Sequence, residues 1–224
     1  MYDATSKSFY QTFCDFTSEN AFLWTLLESF RLANKNEFQN KKFYQDHRVN
    51  QKSFTWNKFR LSLPIMNSTL IHCTHFRATC NFNTDGLVTT HYLRGKPTDL
   101  NIQLLNSEPC VKLEFINIRG YDCYDCTVKM TQTINWHLHF DSYNVELCQF
   151  RSARNGSVKL PGGEDNFGYY QTINPLHRCT TVENATTQYL RKPLWSLQKQ
   201  QASHTNIPQE EGMAIGYSGT TVQF

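Results

Sequence analysis

From Lys58 to Asn174 the chain reads as a series of short segments: KFRLSLPI, TLIHCTHFRATCNF, GLVTTHYLRG, DLNIQLLN, CVKLEFINIRG, CTVKMTQTINWHLHFD, NVELCQFRS and FGYYQTIN. Short polar or glycine-containing breaks separate them. Strand-length segments at regular spacing, with turn signals between, point to an antiparallel barrel or sandwich. No alternation of helix-length and strand-length patterns argues for a parallel sheet. The predicted class is mainly β: an antiparallel barrel-like or sandwich domain with an N-terminal helical segment. Sequential antiparallel neighbours are the default connection, so a single up-and-down barrel is preferred and a two-sheet sandwich comes second.

The clearest alternation falls at 127–141. Val128, Met130, Ile134, Trp136, Leu138 and Phe140 take one face, and Thr127, Lys129, Thr131, Thr133, Asn135, His137, His139 and Asp141 the other. The pattern predicts one long strand with a buried face and a wet face. A turn at Asp141–Asn144 then sets His139 opposite Glu146 on the wet face, at the ~4.5–5.5 Å spacing of cross-strand pairs. His137, His139 and Glu146 are therefore the candidate ligands for a divalent metal. This grouping is similar to the His-x-His and glutamate of the cupins. The His139–Glu146 spacing is longer than in that family and its flanking glycines are absent, so the chain is not assigned to it.

A Cys-x-x-Cys at Cys123 and Cys126 precedes this strand. If 127–141 is one strand, Cys126 and His137 lie on the order of 36 Å apart, at ~3.3 Å per residue. Zinc bonds are only ~2.0–2.3 Å long, so the two motifs are separate. No second Cys-x-x-Cys completes a zinc knuckle. A redox motif opens a helix, whereas here a strand follows. The pair reads as structural, and the other cysteines are scattered singles.

Before this region, Phe22, Leu23, Leu26, Leu27 and Phe30 fall on one stripe at helical spacing, predicting a helix over 18–33. Residues 31–60 follow with eight basic against two acidic side chains. Lys41, Lys42, Arg48, Lys52, Lys58 and Arg60 alternate with Phe43, Tyr44, Phe54, Trp56 and Phe59, an interleaving suited to phosphates and stacked bases. The expected organisation is a helix and basic segment packed on the core at 1–54, a β domain at 55–192 and a flexible tail at 193–224.

Two further readings bear on location. No stretch has the length and apolarity of a membrane span or signal peptide, which slightly favours the cytoplasm. Three glycosylation sequons begin at Asn67, Asn155 and Asn184, a number that chance supplies in a chain this rich in Asn, Ser and Thr.

The function expected first is non-enzymatic binding of a small hydrophobic or aromatic ligand, because 14% of residues are aromatic and small barrels hold such ligands. No lipocalin-type Gly-x-Trp supports the barrel further. The alternatives are a nucleic-acid or polyanion-binding module using 31–60 and a metal-dependent enzyme using the His-x-His and Glu146. No nucleophile elbow, P-loop or dinucleotide fingerprint is present. The chain shows no cofactor motif beyond the candidate metal ligands, and whether it is an enzyme stays open.

Overall fold

The structure, a computed structural model, describes residues 2–3, 8–20, 22–143, 147–152 and 163–193. A two-stranded ribbon of β1 (Tyr2–Asp3) and β2 (Ser8–Phe9) stands apart from one ten-stranded antiparallel sheet. That sheet contains β3 (Cys14–Asp15), β4 (Trp24–Arg31), β5 (Lys58–Arg60), β6 (Cys73–Cys80), β7 (Tyr92–Gly95), β8 (Cys110–Ile118), β9 (Tyr121–Thr133), β10 (Trp136–Asp141), β11 (Asp165–Asn166) and β12 (Thr186–Pro193). Its order is β11-β10-β9-β8-β7-β6-β12-β4-β3, with β5 also paired to β4. The sheet is not closed into a barrel: β11 and β3 end it. It curls nonetheless, because His137 of β10 reaches Glu28 of β4, and Tyr189 of β12 donates from its hydroxyl to the Leu138 carbonyl of β10 at 2.8 Å.

The N-terminal helix is not formed. Residues 24–31 are strand β4, flanked by β3 and β5 on one edge and β12 on the other. Trp24, Leu26, Leu27 and Phe30 are all fully buried. A strand covered on both faces loses the apolar–polar alternation, and its near-continuous run then resembles a helical stripe. The residues before 55 thus contribute β3 and β4 to the same sheet as the later strands. Only short helices occur among the described residues: α1 (Lys35–Phe38), α2 (Leu63–Leu70) and α3 (Phe82–Asp85). The expected strand KFRLSLPI divides between β5 and the start of α2, where Pro64 sits in the first turn as proline prefers. The expected tail lies outside the described residues except for Pro193, which ends β12.

The long strand at 127–141 is two strands. Thr133 pairs with Trp136 across the two-residue loop Ile134-Asn135. Two-residue loops usually carry an Asn-Gly or a similar pair at positive φ, but neither Ile134 nor Asn135 has a positive φ. The turn leaves no sequence signal. β9 pairs with β8 along Tyr121–Lys129 and with β10 along Met130–Thr133, so one strand changes partner midway. A register shift between Trp136 and His139 breaks the expected two-face division. His137, Leu138, His139 and Phe140 are all buried, while Trp136 is half-buried. The wet face assigned to His137 and His139 is therefore an interior one. The strand expected after Asp141 is replaced as well: β10 pairs with β11, setting Asp141 opposite Asp165.

Aromatic side chains fill the curl. Phe30 stacks on Phe38 at 4.7 Å, and Phe43 meets His137 and Tyr189 edge-on, each at 5.0 Å. Such ring pairs add about 0.5–1.5 kcal/mol each beyond the area they bury. Gly95 permits this packing, since a Cβ there would meet Leu113 Cδ2 at 2.7 Å and the Phe76 ring at 2.9 Å.

Candidate functional site

At the centre of the curl, β4 carries Glu28, β5 carries Arg60 and β10 carries His137, all without solvent exposure. Arg60 Nη1 lies 2.5 Å from Glu28 Oε2, and His137 Nε2 lies 2.5 Å from Glu28 Oε1. The Arg60 guanidinium also donates to the carbonyls of Lys41, Lys42 and Gln45. Burial alone would raise the Glu28 carboxyl; the His137 and Arg60 charges and their hydrogen bonds hold it below its usual range. This triad joins three strands that are distant in sequence. With both carboxylate oxygens and the guanidinium engaged inside the core, it is structural.

A second cluster lies at the β10–β11 edge. His139 Nδ1 is 2.6 Å from the His137 carbonyl, so this nitrogen is the donor and Nε2 is turned toward Asp165, 3.5 Å from Oδ1. Asp165 Oδ2 accepts from the Thr172 backbone N–H at 2.6 Å. Asp141 accepts from the Tyr143 N–H at 2.7 Å and from Lys129 Nζ at 3.3 Å. Lys129, expected on the wet face, is buried and also approaches Glu108 at 3.3 Å. Burial pushes the His139 imidazole down to about 3, against the hydrogen bond to the His137 carbonyl. Burial also raises the Asp165 carboxyl to about 6, with Asp141 adding to the rise. Over this polar floor stand two half-buried rings, Trp136 and Tyr169, 5.7 Å apart and tilted by 40°. Tyr169 also packs on the His139 ring at 5.2 Å and donates its hydroxyl to Gln171 Oε1 at 2.6 Å. Gly168 lets this segment approach β10: a Cβ there would overlap the Leu138 carbonyl. Perturbed acid and imidazole groups beside two half-buried rings mark this edge as a candidate site.

The residues expected from sequence are distributed as follows. His137 belongs to the core triad and His139 to the edge cluster, while Glu146 lies outside the described residues. Arg60 is interior and does not face a polyanion. Lys58 pairs with Glu37 at 2.7 Å. Arg48 and Lys52 are exposed, and Lys41 and Lys42 are half-buried. Phe43 and Phe59 are buried, and Phe54 and Trp56 pack against the core. Phe43, Phe54, Trp56 and Phe59 thus turn inward, Phe43 with the Arg60 guanidinium over its ring at 4.9 Å, while Tyr44 stays half-buried with Lys42 Nζ 5.8 Å from its ring centre. An open depression of about 400 Å³, lined by Phe9, Tyr10, Gln11 and Lys52, lies elsewhere. It lacks the buried polar floor of the β10–β11 edge, which is the stronger candidate.

Sequence reasoning missed Asp165 and Tyr169. The PGGED stretch reads as a turn and the following FGYYQTIN as a strand, but no strand forms over 167–174; the β10–β11 pairing brings Asp165 beside His139, and the close approach of Gly168 to β10 brings Tyr169 there. It also left the cysteines unpaired. Cys80–Cys179, Cys110–Cys148 and Cys123–Cys126 are disulfides, leaving Cys14 and Cys73 free. No helix among the described residues is long and apolar enough to cross a membrane. Comparison with known protein families, curated proteins and solved structures found no match, so the geometry of the chain carries its own functional reading.

Proposed function

We propose that this chain is a non-enzymatic binding protein for a small aromatic ligand, and that the ligand is held at the β10–β11 edge. The observation carrying this reading is the half-buried pair Trp136 and Tyr169 above His139, Asp141 and Asp165. The rings offer a stacking surface. Beneath them, the carboxylates of Asp141, Asp165 and Glu108 outnumber the ammonium groups of Lys129 and Lys35, which favours a ligand carrying a cationic amine. The interior of the curl is a poorer choice, because the protein's own rings fill it. The polyanion reading loses Arg60 to the core and Phe43, Phe54, Trp56 and Phe59 to packing, which leaves it Tyr44 beside Lys42.

Calorimetric titration of the full chain with arylethylamines, and with arylacetates of similar size, tests the proposal. The amines should bind and the acids should not. Trp136→Ala and Tyr169→Ala should each weaken binding at least about tenfold, equivalent to ~1.4 kcal/mol, with folding checked by circular dichroism. Amine binding unchanged in both variants, or no amine binding to the wild type, overturns the reading. Steeply salt-dependent retention on heparin would favour the polyanion alternative instead.

A further inference from the structure

Cys80 closes strand β6, and Cys179 sits in a 3-10 turn (Arg178–Thr180) that directly follows His177. The two sulfurs are disulfide-bonded. The ligand atoms of Cys80, Cys179 and His177 all lie within 4.8 Å of one another, and all three residues are buried. His177 has no solvent exposure, and neither of its ring nitrogens has a hydrogen-bond partner. A buried imidazole left so is uncommon and points to a missing ligand such as an ion. The turn itself is well anchored: the Asn81 amide donates to the Arg178 carbonyl at 3.1 Å, and Thr180 donates from its N–H to the His177 carbonyl at 2.8 Å. His91 lies against His177 with ring centroids 4.4 Å apart, and its Nε2 is also buried without a partner.

We propose that Cys80, Cys179 and His177 form a zinc site when the two cysteines are reduced, with His91 beside it to fill the fourth position. Two thiolates and an imidazole suit Zn²⁺ among the common divalent metals. The two thiolates balance the charge of the ion, giving a neutral group that can be buried and that tolerates the nearby Arg119 and Arg178. In a tetrahedral site with ~2.3 Å Zn–S bonds, the sulfurs stand about 3.8 Å apart. The disulfide must therefore open first. Two molecules of a small thiol reduce it, becoming one disulfide and leaving two cysteine thiols. Zn²⁺ then binds with release of two protons. Oxidation of the dithiolate by a small disulfide runs the steps backward and expels the metal. The surrounding thiol–disulfide poise selects the form.

The full chain should be prepared in two forms, one with disulfides intact and one reduced anaerobically with a phosphine, and titrated with Zn²⁺ against a chromophoric competitor. The reduced form should bind zinc and the disulfide form should not. X-ray absorption of the zinc-loaded wild type should show two sulfurs at ~2.3 Å with nitrogen at ~2.0 Å. Zinc should protect Cys80 and Cys179, rather than Cys123 and Cys126, from alkylation mapped by mass spectrometry. His177→Gln should weaken binding more than ~100-fold, beyond what loss of an outer-shell partner produces. These wild-type measurements keep the test intact if the variant fails to fold. Protection of the 123/126 pair alone, a first shell without sulfur, or no zinc bound by the reduced chain overturns the proposal.

Discussion

Glu28, Arg60 and His137 are single residues on three strands, yet each depends on the other two for its place in the core. Removing one charge leaves the rest buried without a counter-charge, which costs about 3–5 kcal/mol, whereas an apolar replacement of the pair is often neutral. Arg60→Met should therefore lose several kcal/mol in urea denaturation, and Glu28→Gln combined with Arg60→Met should recover part of it. A double variant as unstable as the sum of its singles would mean that the charges do not act together. The depressed Glu28 carboxyl also ties this residue to pH. Its contribution is present above the unfolded pKa and disappears as pH falls through the lower folded value. The edge cluster gives two opposed signs. His139, held near 3 in the folded state, contributes stability above its unfolded pKa of ~6.5 that is lost as pH falls toward 3. Asp165, raised to about 6, contributes stability below its unfolded pKa of ~3.9 that is lost as pH rises through 6. Denaturation midpoints between pH 3 and 7 should show a shallower loss toward acid in His139→Gln. Asp165→Asn should remove the opposing gain and steepen that loss. Identical slopes in all three proteins would show that neither group titrates on unfolding.

At the scale of elements, the β9–β10 hairpin separates the sequence expectation from the structure most sharply. One alternating strand places Ile134 and Leu138 on the same buried face. The structure puts Ile134 in the turn, 67% exposed, and leaves Leu138 with no exposure. Ile134→Ser should thus change stability by no more than about 0.5 kcal/mol, while Leu138→Ala should cost about 2–5 kcal/mol. Equal costs in chemical denaturation would restore the single strand. The burial of Val128, Met130, Leu138 and Phe140 was legible, whereas the wet face was not, because residues of both parities are buried. Nor was the turn, because Ile-Asn carries no turn chemistry. With the turn went the depth of His137 and His139, since the register shift after Trp136 turns residues of both parities inward. β4 shows a related ambiguity: its apolar run fits a helix stripe and a doubly covered strand equally well until its neighbours are known.

At the scale of the whole molecule, β12 inserts between β6 and β4 and so joins the end of the described chain to its beginning. The disulfides reinforce such long-range closure unequally. In the chain-entropy account, Cys80–Cys179, spanning 99 residues, should contribute roughly 4.7 kcal/mol. Cys110–Cys148, spanning 38, should contribute about 4 kcal/mol, and Cys123–Cys126, spanning 3, about 2 kcal/mol. Paired Cys→Ala variants, compared by guanidinium denaturation in the oxidised state, should lose stability in that order. A larger loss at Cys123–Cys126 than at Cys80–Cys179 would count against loop closure as the source. The sequence by itself determined that the chain is mainly β and antiparallel, and that strands fall near 73–80, 92–95, 110–118 and within 127–141, although β9 begins at Tyr121, in the stretch read as a turn. It did so because alternation and turn spacing are local properties that each segment carries alone. Tertiary structure alone decided that residues 24–31 join the sheet, that the sheet stays open, that Arg60 and His137 meet Glu28 in the core, and that Cys179 finds Cys80. Those outcomes rest on contacts between segments tens of residues apart, and burial and pairing across such distances depend on which neighbours the fold supplies.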